Sequence, residues 1–154
     1  MIKINVITND NNWFRLIKYP INYIRKKISK INRLDKTFYN KKIYCTLLLA
    51  GNEEIKYLNK KFRKKKKTTD ILSFPFQTKK ELNTLLKKEK EIYLGDIIIN
   101  FHKIKNKSSK IFQSEFDLLW IHGLAHLFGH DHKKERDFLK MNKLEKKYID
   151  FINA

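Results

Sequence analysis

Disulfide chemistry is almost absent from this sequence. Cys45 is its only cysteine, so no intramolecular disulfide can form, no disulfide-linked partner is expected, and a reducing, cytoplasmic setting fits. No uninterrupted apolar run approaches the ~20 residues of a membrane span, so no membrane partner is expected. The opening MIKINVITND lacks the basic-then-apolar layout of a secretory signal. With only four glycines and two prolines in 154 residues, no stretch reads as a domain linker, and no internal repeat is visible. Acidic residues are scarce as well: 16 Asp and Glu stand against 35 Lys and Arg, for a formal charge of +19. Such an excess suits a polyanionic partner, RNA or DNA first. Richness in lysine, isoleucine and asparagine is also what codon drift in an AT-rich genome produces, so charge is support and not proof.

What is present is enough for a core. A hydrophobic fraction of 42% in a chain of this length predicts one folded domain spanning residues 1–154. Ile2 to Thr8 alternates apolar and polar residues as a half-buried strand does. Helical spacing follows from Trp13, with Ile17, Ile21, Ile24, Ile28 and Ile31 as a core-facing stripe and Pro20 as a kink or fresh start. Lys42–Ala50 reads as a strand. Glu53–Phe62 reads as a helix with Ile55, Leu58 and Phe62 inward. Thr68–Phe76 reads as a buried strand ended by Pro75, and Ile92–Phe101 as a strand with a bulge at Gly95–Asp96. Residues 77–90 suit a loop or an exposed helix, and His102 an ordinary surface position or a helix start. Phe112–Phe128 is apolar on nearly every side, the mark of a central buried helix. Lys134–Ile152 carries Phe138, Met141, Leu144, Tyr148 and Phe151 on one face. The expected class is α+β, with a mixed sheet of about four strands packed with helices.

Chemistry concentrates in HGLAHLFGHDH, residues 122–132. His122 and His126 stand one helical turn apart on one face, Gly129 can end the helix with φ > 0, and His132 can then close on them. Three imidazoles leave one position open, as in catalytic rather than structural zinc sites. The spacing matches the metzincin pattern HExxHxxGxxH, but Gly123 occupies the position of the glutamate that serves those proteases as general base. Peptide hydrolysis is therefore disfavoured while a metal site stands. Asp131 suits a cap contact, a hydrogen bond to a ligand imidazole, or proton transfer. Asp70, Ser73 and Asp96 suit turn chemistry or the shaping of a cleft. Phe74 and Phe76 suit core packing better than base stacking.

Four blocks together, YLNKKFR at 57–63, TDILSFPF at 69–76, LGDIIIN at 94–100 and HGLAHLFGHDH, resemble the YbeY family of bacterial endoribonucleases. The resemblance runs from about Tyr44 to about Glu145 and leaves the N-terminal strand and helix unmatched. It implies one Zn2+ held by His122, His126 and His132, and a functional arginine at Arg63. It also implies single-strand-specific, metal-dependent RNA cleavage in rRNA processing, at the 3′ end of 16S rRNA, and in ribosome quality control. RNA of the small ribosomal subunit, ribosomal proteins and an assembly GTPase are the partners it implies. The chain departs from the family's Lys-Asp-x-Pro after the arginine, reading Lys65-Lys66-Lys67-Thr68, which makes this loop more basic and less rigid. His130 stands where many relatives have tyrosine, so it is a candidate false ligand. Two other readings remain: an assembly factor with a structural zinc, and a metallohydrolase of another phosphoester.

Overall fold

The computed structural model describes all 154 residues. Its elements run β1 (Ile2–Thr8), α1 (Pro20–Leu34), β2 (Lys42–Ala50), α2 (Asn52–Arg63), β3 (Ile71–Pro75), α3 (Lys79–Lys88), β4 (Glu91–Asn100), α4 (Ser109–Leu127) and α5 (Glu135–Ile152). The four strands form one mixed sheet in the order β1-β2-β4-β3. β1, β2 and β4 run parallel, and β3 joins β4 antiparallel as an edge strand. This is the α+β architecture expected from the pattern.

Alternation along the strands sorts the two faces of the sheet. Ile43, Cys45, Leu47 and Leu49 of β2 join Ile97 and Ile99 of β4 in the main core beneath α1, α4 and α5. Ala50, Leu72 and Ile98 turn the other way and meet Ile55 of α2. Helix α4 is buried along most of its length and crosses the sheet at β3 and β4. The extra residue that slips the β2–β4 register falls at Leu94–Gly95, opposite Tyr44–Thr46, where Gly95 takes φ +139°.

Several expectations change in detail. Pro20 opens a fresh helix at its first turn, where a missing N–H costs nothing. Ile24, Ile28 and Ile31 are buried, but Ile21 is half-exposed. Phe62 and Phe76 are also largely exposed, at 59% and 61%, so neither is a core residue. Residues 77–90 contain a true helix, because Thr78 and Glu81 form a reciprocal capping box around its first turn. The central helix is not apolar all round. Leu118 is half-exposed, whereas Asp117 is buried and accepts hydrogen bonds from Lys27 at 2.7 Å, Tyr23 at 3.0 Å and the Trp120 indole at 2.9 Å. That network ties α1 to α4 and gives the buried carboxylate three partners.

Cys45 lies in the core with 1% exposure, and burial, helped by Asp96, pushes its thiol up to about 12. At pH 8 only about one thiol in ten thousand would be ionised. We therefore expect no reaction with a thiol reagent in the native state and one equivalent after denaturation. Rapid native labelling would show that this strand opens.

Candidate metal centre

The C-terminal end of α4 is built by the glycine at position 129. Gly129 takes φ +89°, a conformation that L side chains rarely adopt. Its N–H reaches the carbonyl of His126 at 2.9 Å, and the next N–H, of His130, reaches that of Ala125 at 3.1 Å. This is the paired closure of a Schellman motif. It stops the helix and reverses the chain so that His132 returns over His122 and His126. Their three candidate ligand nitrogens all lie within 4.8 Å of one another.

Two of the imidazoles have their tautomers set by their neighbours. His122 Nδ1 lies 3.0 Å from Glu145 Oε1 and His126 Nδ1 lies 3.0 Å from the carbonyl oxygen of His130. Carboxylate and carbonyl oxygens only accept, so each Nδ1 donates and each Nε2 is left with a bare lone pair. Those two Nε2 atoms face each other at 3.2 Å. Two acceptors so placed repel unless a cation sits between them. A tetrahedral ion with bonds of about 2.0–2.1 Å holds nitrogen ligands about 3.3–3.4 Å apart, so the donor set fits such an ion. Burial, and next the neighbouring His122, lower the pKa of His126, which keeps it neutral as a ligand must be.

Other residues fall into place around this cluster. Gly123 faces the sheet: a Cβ there would meet Ile97 Cγ2 at 2.7 Å and Ile71 Cδ1 at 3.1 Å. A glutamate in the metzincin position has no room on this helix. Asp131 accepts the backbone N–H of His132 at 2.7 Å, a contact that holds its carboxyl below the usual range. It thus shapes the turn that carries His132. His130 gives its carbonyl to His126 while its ring lines a small polar cavity of about 170 Å3 with Lys79, Asp137 and Lys140. Its ring stays outside the three-histidine group. Burial and then the two lysines lower its pKa.

Arg63 ends α2, on the sheet face opposite α4, and both helices pack beside the edge strand β3. The structure brings it into no direct contact with the histidines, and its side chain is exposed. The basic loop after it is pinned rather than loose. Asn59, 2% exposed, donates its side-chain amide to the Lys67 carbonyl at 2.7 Å, and its main-chain carbonyl accepts from Lys65 N–H at 3.2 Å. Asn100, wholly buried, bridges Asn52, Thr68 and Thr69. These asparagines fix the loop that lost its acid and proline. Asp96 lies on the α2 face, accepting from Tyr93 at 2.6 Å, and Asp70 caps the edge through its carbonyl to Asn100 N–H at 2.8 Å. Neither joins the histidine cluster. His102 is partly exposed beside Asp10, at 3.4 Å.

Glu145 was not singled out by the sequence. Its only signal is a carboxylate on the inner stripe of α5 between Met141 and Tyr148, and a salt bridge within a helix surface explains such a residue equally well.

With this geometry in view, comparison with known proteins gives a consistent answer. A family model described as Endoribonuclease YbeY matches residues 7–153. The chain belongs to the YbeY endoribonuclease family. It is 41% identical to the Endoribonuclease YbeY of Pelagibacter ubique, covering 100% of this chain and 98% of that protein. It is 34% identical to that of Mycoplasmopsis pulmonis, covering 96% and 95%, and 31% identical to that of Fusobacterium nucleatum, covering 90% and 85%. A solution structure from Thermotoga maritima superposes with a TM-score of 0.61 over 97% of this chain and 89% of that one, at 22% identity. That likeness concerns the fold alone.

Proposed function

We propose that this protein is a zinc-dependent endoribonuclease that cleaves single-stranded RNA during rRNA processing, at the 3′ end of small-subunit rRNA, in the cytoplasm. The observation that carries the reading is the pair of bare Nε2 atoms facing each other at 3.2 Å beside His132, in a chain whose family is one of endoribonucleases. His122, His126 and His132 would hold one ion and leave a coordination position for a phosphodiester oxygen or water. When bound, the ion supplies Lewis-acid polarisation of phosphoryl oxygen and activation of water. The +19 charge of the chain favours RNA binding by counterion release. Arg63, across the edge strand β3 from the histidines, would clamp a phosphate of the same RNA strand as it passes that edge. Its planar fork suits two non-bridging oxygens, and it forms no salt bridge with a carboxylate. Lys64 to Lys67, held by the asparagine contacts, extend the same positive path. Ribosomal proteins and an assembly GTPase are the protein partners this reading carries.

The test is cleavage of a labelled 3′ fragment of small-subunit rRNA, with bound zinc quantified in each sample. Arg63→Glu is expected to keep its zinc and lose about 100-fold or more in cleavage, the scale of losing one charge-stabilising donor. If Arg63→Glu cuts at the wild-type rate, Arg63 is no clamp. If wild type binds RNA without cutting, the protein is an assembly factor with a structural metal.

A further inference from the structure

We propose that Glu145 is the positioning residue of the metal centre, and that through it the start of helix α5 is coupled to metal loading. The inference rests on the reading that the three histidines hold an ion. Of those histidines, each is oriented differently. His126 is aimed by the carbonyl of His130, which belongs to the same turn. His132 is placed through its backbone N–H on Asp131, and its exposed ring makes no hydrogen bond. Only His122 is oriented by a distant element, across 23 residues of sequence, through the 3.0 Å contact with Glu145 Oε1.

That contact has two consequences. A carboxylate on Nδ1–H fixes the Nε2 tautomer and restrains the ring that faces the site. It also places the single negative charge that touches a ligand imidazole beside a cluster that would carry a divalent cation. The two side chains are 31% and 23% exposed, so the pair is partly shielded from solvent.

The coupling follows from how α5 is held. From Met141 onward it is anchored by Met141, Tyr148 and Ile152, all buried. From Glu135 to Lys140 it buries no side chain. This first stretch runs from His132, just before it, to the buried Met141, one turn ahead of Glu145. An ion bound to His122 and His132 would hold the free start of the stretch directly and, through Glu145, brace the turn just beyond Met141. Loading should therefore order a segment that packing alone leaves weakly held.

The experiment compares wild type, Glu145→Gln and Glu145→Ala, each first shown by circular dichroism and melting to be folded without metal. Zn2+ affinity is measured by competition with a chromogenic chelator, and Co2+ is substituted to read the ligand field. Backbone hydrogen exchange over residues 135–142 is followed with and without Zn2+. Glu145→Ala is expected to bind Zn2+ about 10–100-fold more weakly and to show an altered Co2+ spectrum. Glu145→Gln, which still accepts from Nδ1–H but carries no charge, should fall between. Zn2+ should slow exchange over 135–142 in wild type and far less in Glu145→Ala. If wild type takes no Zn2+, the metal-site reading fails and this inference with it. If wild type binds Zn2+ and both variants bind within twofold, with unchanged Co2+ spectra, the positioning role alone is overturned. If exchange over 135–142 ignores loading in wild type, the coupling is overturned.

Discussion

Replacing His126 with alanine is expected to abolish zinc retention and reduce RNA cleavage by more than about a thousandfold, as when one member of a set that acts as a unit is removed. His126 sits in the middle of the cluster, its Nε2 against that of His122 and its ring beside that of His132 at 5.3 Å between centroids. Without it the two remaining imidazoles come from different segments and share no rigid face. The fold should survive. The ring is half-buried, and its loss removes a contact between two lone pairs that is unfavourable in the metal-free state. A stability change of about 1 kcal/mol is the expected scale. Zinc content by elemental analysis, cleavage of the labelled rRNA fragment and the melting temperature are read on one preparation. A His126→Ala protein that keeps a full equivalent of zinc, or cuts at the wild-type rate, would remove this residue from the centre.

The second large effect concerns stability. Gly123→Glu restores the protease motif on paper, and we expect it to unfold the protein rather than make a peptidase. The Cα of Gly123 lies against β3 and β4, and even a methyl group there meets Ile97 Cγ2 at 2.7 Å. A glutamate would force α4 off the sheet or leave an unpaired carboxylate among isoleucines. Either costs more than about 4 kcal/mol, against a total stability of about 5–15 kcal/mol for a typical domain. The melting temperature should fall by roughly 8–16 °C, or the protein should be insoluble. Gly123→Ala gives the graded control: overpacking of about 1–3 kcal/mol, offset by up to about 1 kcal/mol of helix propensity. Should Gly123→Glu melt within two or three degrees of wild type, the helix is less tightly seated than the structure shows. Peptidase activity in that variant would mean the position can reach the metal after all.

The residues behind these two effects differ in how visible they are along the chain. The spacing of His122, His126, Gly129 and His132 announces a helix end with a returning ligand, because a helix face and a positive-φ turn are local geometry. The structure builds that turn with Gly129 at φ +89°. Strands at Ile2–Thr8 and Lys42–Ala50 are equally legible, since alternation is written in adjacent residues. Periodicity failed where exposure depends on what lies opposite. Ile21, Phe62 and Phe76 sit in apolar patterns yet are largely exposed; Phe62 and Phe76 rest on the rings of Phe74 and Tyr93 and leave their outer faces to solvent. Asp117 breaks an apolar helix and is nonetheless buried, because Tyr23 and Lys27 of α1 arrive to meet it.

By itself, then, the sequence determined the class of fold, the three histidines and the turn that brings them back, since each is encoded within a few consecutive residues. The tertiary structure alone decided three other matters. Gly123 is pressed against the sheet, so the absent glutamate is a packing requirement. Arg63 stands on the far side of the edge strand from the histidines. Glu145 reaches His122 because α4 and α5 cross where they do. Each of these depends on elements distant in sequence meeting at one place, and that meeting is set by the whole core.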